Sequence, residues 1–278
     1  MAEIEHHLRV AMGGFRGNLI YFNDGKKDEP DTHTIKLKHG GKLAVKYIQD
    51  PTFFEQEAHM MRELAKHEIR NVLKSLWIDV PSQCIVFERY EKDLFHVYAD
   101  PVQIDALSKE ARFKIVADLA DAVIDLHSIG ISHRDLKPEN VVVNATHDGL
   151  EIALCDFGLA SLSTRVVRGV HGNVGSSAWV ALETLLRKDY DTEPTDWWSF
   201  GLLAYLIIVG TPLYADFPNT TTYRDHFLRA IMKGWDTWWP QCHTQLAPKE
   251  KELIEACVCV DVSKRANAST IKSLSYFL

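Results

Sequence analysis

The chain has 278 residues, 46% of them hydrophobic and 25% charged, which suits a sizeable core and excludes a disordered or low-complexity chain. Thirty-one Lys and Arg stand against 38 Asp and Glu, a net charge of −7, so direct binding to nucleic acid or to an anionic membrane surface is not expected. The opening MAEIEHHLRV has no apolar segment of the signal-peptide kind. The longest uncharged apolar run, 197–213, has an eight-residue core at 202–209, well short of the roughly 20 residues that span a bilayer. Five cysteines (84, 155, 242, 257 and 259) include no C-x-x-C pair and read as thiols in a reducing compartment. A soluble intracellular protein of the cytoplasm or nucleus is expected.

The first hundred residues are dominated by short alternating or aromatic runs: LIYFN (19–23), HTIKLKH (33–39), KLAVKYI (42–48) and CIVFERY (84–90). These predict strands, with turn chemistry at Asn23-Asp24-Gly25 and Gly40-Gly41. One helix interrupts them: Thr52 and Glu55 have capping-box spacing, and Met60, Met61 and Leu64 follow at helical period. Beyond residue 92 the period lengthens, predicting helices over 106–129, 196–209, 223–233, 249–258 and 269–278. Strands NVVVN (140–144) and EIALCD (151–156) lie between the first two. The pattern reads as α+β, a small β-rich lobe joined near residues 88–92 to a larger helical one.

The chemistry concentrates in His133-Arg134-Asp135-Leu136-Lys137-Pro138-Glu139-Asn140, which ends a helix and leads into a strand, and in Asp156-Phe157-Gly158 sixteen residues later. These segments resemble the catalytic loop H-R-D-L-x-x-x-N and the D-F-G loop of protein kinases. The resemblance covers nearly the whole chain and implies the bilobal kinase fold, α+β, as a single domain over 1–278, with the N-lobe about 1–90 and the C-lobe about 91–278. It implies phosphoryl transfer, a reaction in which the protein mainly positions reactants and neutralises charge. Asp135 would orient and deprotonate the attacking hydroxyl, Lys137 would reach the γ-phosphate, and Asn140 and Asp156 would hold Mg²⁺ (or Mn²⁺) through hard oxygen ligands. A lysine at 137 is the serine/threonine-kinase pattern.

Ala44-Val45-Lys46 resembles the kinase V-A-I-K strand, so Lys46 would grip the α and β phosphates of ATP. Its partner would be a helix glutamate; Glu57 fits best, ahead of Glu55 and Glu63. The gap of 57 − 46 = 11 residues is shorter than is usual in the family, which implies a truncated helix and an activating partner, or a second copy of the chain, packed on it. Met12-Gly13-Gly14-Phe15-Arg16-Gly17-Asn18-Leu19 can be laid on the glycine-rich loop, with Gly14 and Gly17 letting backbone amides approach phosphate. Residues 23–41 would then be an inserted hairpin. Adenine would lie against Glu88 and Tyr90, between Leu19 and Ala44 on one side and Val142 on the other, with Phe87 closing the back. Asp93 is a candidate for the ribose hydroxyls, and equally a helix N-cap.

Residues 175–183, GSSAWVALE, resemble the family's G-T-P-x-Y-x-A-P-E, with Ser176 in the place of the Thr that ties the substrate loop to the catalytic Asp. Glu183 would pair with Arg265, and Asp196 would anchor the catalytic loop. Arg134 could receive a phosphate placed on Ser161, Ser163 or Thr164, and Cys155 reads as a small buried residue. The expected activity is ATP-dependent serine/threonine protein phosphorylation; the other reading is a pseudokinase scaffold, favoured by the short helix and the degenerate glycine loop. Glu139 and the negative net charge point to a basic, Arg-rich protein substrate, whereas Leu206 stands where basic-directed kinases often carry a second acid. The compact layout and Trp-rich large lobe also resemble the baculoviral protein kinases, which would imply a protamine-like substrate in a host nucleus.

Overall fold

The computed structural model describes residues 19–23, 42–147, 149–162, 179–185, 190–213 and 246–278. The expected strand at 33–39, the helix at 223–233, Gly14, Gly17, Ser163, Thr164, Ser176 and Cys242 lie outside these, and Leu19 is described only in its backbone.

The described residues group into two compact units, Leu73–Glu91 with those up to Glu68, and Ile69–Val72 with those from Lys92 onward. In the first, β1 (Leu19–Asn23), β2 (Lys42–Tyr47), β3 (Ser75–Asp79) and β4 (Cys84–Glu88) form an antiparallel sheet of order β1-β2-β4-β3. Alternation in KLAVKY sorts its side chains: Val45, with Leu43 and Tyr47, clusters with Cys84 and Val86. The opposite face carries Ala44 and Lys46. Burial pushes the Cys84 thiol up to about 11. Strand β3 was not foreseen in SLWID, whose pairing with β4 carries an irregularity between Ser75 and Trp77.

Helix α1 (Pro51–Leu64) follows β2. Its cap is Asp50, whose Oδ1 accepts from the amides of Thr52 (2.8 Å) and Phe53 (3.3 Å), in place of the expected Thr52–Glu55 box. The reason is Pro51, which suits the first helical position and sets the start one step earlier. Phe54, Ala58, Met61 and Leu64 recur at helical spacing along its buried stripe, and Glu57 is buried among them in sequence.

The second unit opens with β5 (Lys92–Asp93), α2 (Leu94–Tyr98), α3 (Pro101–Ala106) and α4 (Lys109–Ser128). The helix expected over 106–129 is present as α4 but begins three residues later, because the Ser108 hydroxyl accepts from the Ala111 amide (3.1 Å) and sets its start there. Strands β6 (Val141–Thr146) and β7 (Gly149–Leu154) complete an antiparallel sheet β5-β6-β7. Then come α5 (Leu182–Leu185), α6 (Thr192–Val209) and α7 (Pro248–Cys257). Residues 269–278 contain a 3-10 turn, Ile271–Ser273, rather than the expected helix. Asn267 turns the chain there, its Oδ1 accepting from the amides of Ser269 (2.9 Å) and Thr270 (3.1 Å).

Ile69–Val72 is held on α4. Arg70 donates to Asp125 and Asp121, and holds the Asp125 carboxyl below the usual carboxylate range. Asn71 Nδ2 donates to Asp118 O (3.0 Å), while Asn71 O accepts from the Leu154 amide (2.8 Å).

Helix α6 is buried nearly all round, with Trp197, Trp198, Phe200, Leu202, Leu203 and Ile207 in the core. No helix among the described residues is long and apolar enough to cross a membrane. Among the described residues, Cys84, Cys155, Cys257 and Cys259 form no disulfide. A Cβ on Gly201 would meet Cys257 Cβ at 2.6 Å and Val258 Cγ2 at 2.7 Å, so only glycine lets α6 and the end of α7 approach this closely. Gly201→Ala is expected to destabilise the protein by about 1–3 kcal/mol through overpacking. Urea unfolding measures this, and an unchanged midpoint would refute it.

Candidate active site

In the second unit the segment 129–140 runs from the end of α4 to β6 and is held from below by Asp196 on α6. The Asp196 carboxylate accepts from the Arg134 amide on Oδ1 (2.7 Å) and from the His133 amide on Oδ2 (2.8 Å). Arg134 sits at φ +68 and Asp156 at φ +65, left-handed conformations costly for non-glycine residues and concentrated at functional sites.

Three of the candidate residues converge here. The Asp135 side chain is 8% exposed, and its Oδ2 accepts from Lys137 Nζ at 2.7 Å and from Asn140 Nδ2 at 2.9 Å. Asn140 Nδ2 also reaches Asp135 O (2.8 Å), and the Pro138–Asn140 turn brings it back to that point. With its nitrogen committed twice to Asp135, the Asn140 amide keeps its oxygen as the arm for another ligand.

His133 links this loop to the next. Its Nδ1 accepts from the Asp135 amide (3.3 Å) and its Nε2 lies 3.0 Å from Cys155 O, so the proton sits on Nε2. Its ring meets the buried Phe157 edge-on with centroids 4.8 Å apart. The Cys155 amide donates to Asn140 O (2.9 Å). Asp156, next in the chain, is exposed. The Asn140 amide oxygen and the Asp156 carboxylate are hard donors. Among the described residues no cluster of three or more His, Cys, Asp or Glu side chains is placed to hold a metal. Two such oxygens suit a hard divalent cation, which would supply positive charge beside a phosphate if bound there.

Asp93 and Val142 are cross-strand neighbours of β5 and β6. Asp93 caps α2, its Oδ1 accepting from the His96 amide (2.8 Å) and lying 2.8 Å from His96 Nδ1. The cap is thus realised.

In the first unit Lys46 Nζ donates to both oxygens of Glu57, at 2.8 and 2.7 Å. Glu57 is buried on the apolar stripe of α1, where an unpaired carboxylate would be costly, and Lys46 supplies the charge. The competing glutamates turn elsewhere: Glu55 towards Arg62 (3.9 Å), and Glu63 to Lys66, whose hydrogen bond lowers the Glu63 pKa. Leu19 pairs with Lys46 in the β1–β2 register, Ala44 is buried opposite Phe87, and Glu88 and Tyr90 are half-buried at the end of β4 and just beyond it.

Two supports flank the second-unit site. Arg265 forms a two-point ion pair with Glu183. Ser161 exchanges backbone hydrogen bonds with Ser132, and its hydroxyl is buried, which removes it from the accessible phosphoacceptors.

The protein kinase domain model matches residues 32–277. Myosin light chain kinase A of Dictyostelium discoideum is 26% identical over 275 residues, covering 97% of this chain and 87% of that protein. Calcium/calmodulin-dependent protein kinase type II of Caenorhabditis elegans is 30% identical over 235 residues, 84% of this chain and 31% of its own length. CBL-interacting serine/threonine-protein kinase 5 of Arabidopsis thaliana is 32% identical over 167 residues, 59% and 35%. The chain thus spans most of the first relative and about a third of the other two. With a β-sheet unit followed by a largely helical one, and a kinase-domain match over nearly its whole length, this chain belongs to the protein kinase family.

Proposed function

We propose that the chain, acting as one kinase domain over 1–278, transfers the γ-phosphoryl group of ATP to serine or threonine hydroxyls of proteins. The observation that carries this reading is the Asp135 carboxylate, nearly buried and gripped by Lys137 and Asn140. In the proposed step the substrate oxygen forms a bond to the γ-phosphorus as the bond to the β–γ bridging oxygen breaks. Asp135 takes the hydroxyl proton and ADP leaves. Lys137, as a point charge beside Asp135, steadies the transferring group, and Lys46, aimed by Glu57, holds the α and β phosphates. When bound at Asn140 and Asp156, Mg²⁺ (or Mn²⁺) neutralises phosphate charge. Gly14, Gly17, Leu19, Ala44, Glu88, Tyr90, Asp93 and Val142 make up the proposed nucleotide site.

Lys137, and relatives named as serine/threonine and calmodulin-dependent kinases, support the choice of acceptor. Glu139 is exposed on the Pro138–Asn140 turn, and the net charge is −7; both suit a basic substrate. The Lys46–Glu57 pair closes within a single chain.

The test is labelled-phosphate transfer from ATP with Mg²⁺ to peptide libraries fixed at Ser, Thr or Tyr. Label on Ser and Thr peptides, enriched where Arg precedes the acceptor, is expected, with Lys46→Met lowering it roughly 100-fold or more. Label on Tyr alone, or none, would overturn the reading.

A further inference from the structure

His127 lies on the last turn of α4 with Nε2 2.9 Å from Asp196 Oδ2, and each of the two side chains is only 1% exposed. Asp196 is the group that holds the amides of His133 and Arg134. An imidazole N–H is therefore the third donor to this carboxylate, and it shares Oδ2 with the His133 amide. The carboxylate oxygen can only accept, so the proton is on Nε2.

The rest of the ring is poorly provided for. His127 Nδ1 is buried and has no hydrogen-bond partner among the described residues. Trp197 lies edge-on to the ring at 5.6 Å, and its own Nε1 is buried and likewise without a partner among the described residues. A leucine would fill the space and leave no orphan nitrogen. What the imidazole gives in exchange for that desolvation is the bond to Asp196.

The strained backbone gives that bond a use. Arg134 stays at φ +68 only while its surroundings over-determine it, and Asp135 is the next residue. We infer that His127 is a positioning residue for phosphoryl transfer: its Nε2–H fixes the Asp196 carboxylate, which fixes the His133 and Arg134 amides and hence the place of Asp135. This rests on the kinase reading of Asp135. Sequence reading passed over His127, although its place six residues before His133 on the last turn of the helix was the available signal.

The experiment compares wild type, His127→Leu and His127→Gln, the glutamine offering an N–H in place of Nε2–H. Expected for His127→Leu is a kcat about 10- to 100-fold lower, the range of one hydrogen bond to a charged group, with the KM for ATP within about twofold. His127→Gln recovers most of it. Amide hydrogen exchange at His133 and Arg134 quickens in the leucine variant and stays slow in the glutamine one. Equal kcat in wild type and His127→Leu, or equal loss in both variants, overturns the inference. Should His127→Leu not fold, imidazole ¹⁵N–¹H correlation in wild type decides: a proton on Nε2 supports the inference, and a proton only on Nδ1 ends it. A wild type that transfers no phosphate instead refutes the kinase reading, while exchange and tautomer still report on the His127–Asp196 bond.

Discussion

Asp135→Asn is expected to lower phosphate transfer by about 100- to 10,000-fold while leaving the fold and nucleotide binding in place. The carboxylate Oδ2 accepts two hydrogen bonds, from Lys137 and Asn140, and it is the group proposed to take the substrate proton. An amide has the same shape but no basicity. Its oxygen can take the place of Oδ2 and accept from both donors, but it cannot take up the substrate proton. Loss should therefore fall on kcat rather than on KM for ATP. Single-turnover transfer measures the chemical step, and nucleotide-induced thermal stabilisation checks binding. A variant within tenfold of wild type would show that Asp135 is not the proton acceptor.

Glu183→Leu is expected to cost about 3 kcal/mol of stability, the lower end of the range for breaking a buried ion pair. The lower end applies because Glu183 retains 17% side-chain exposure, while Arg265 is fully buried. Without Glu183 the guanidinium keeps Pro194 O (2.8 Å), Cys259 O (3.0 Å) and the face of Trp198 at 5.1 Å, but no anion among the described residues. A buried cation with neutral partners alone is the costly state. The double variant Glu183→Leu/Arg265→Leu removes that charge and should be more stable than Glu183→Leu. Urea unfolding of the three proteins tests both statements, and a double variant no more stable than the single overturns the argument.

How much was legible in the sequence depends on the kind of signal. Loop 133–140 and Asp156-Phe157-Gly158 could be read because their chemistry is local: Asp135, Lys137 and Asn140 lie within six consecutive residues, and a short 3-10 turn brings them together. Glu57 could be picked from three glutamates because it alone falls on the apolar stripe of α1. The misjudged elements turn on single polar atoms. Asp50, Ser108 and Asn267 each hold one or two backbone amides, and this decides where a helix begins or that none forms. Helical periodicity is blind to such bonds, so the helix of 109–128 read as starting at 106, and 269–278 read as a helix. Strand β3 escaped because SLWID becomes a strand by pairing with β4, not by alternation of its own.

Residues 69–72 carry a consequence for how the molecule can be made. They precede β3 and β4 in sequence yet belong with α4 and β7. Arg70 meets its carboxylates 51 and 55 positions further on, and the Asn71 carbonyl waits for Leu154. During synthesis this short stretch therefore leaves the ribosome well before anything exists for it to bind. A fragment begun at residue 92 would lack it, leaving the Leu154 amide without its acceptor and Asp125 without its hydrogen bonds from Arg70. The two units are interleaved in time as they are in sequence, and no single cut in the chain separates one from the other.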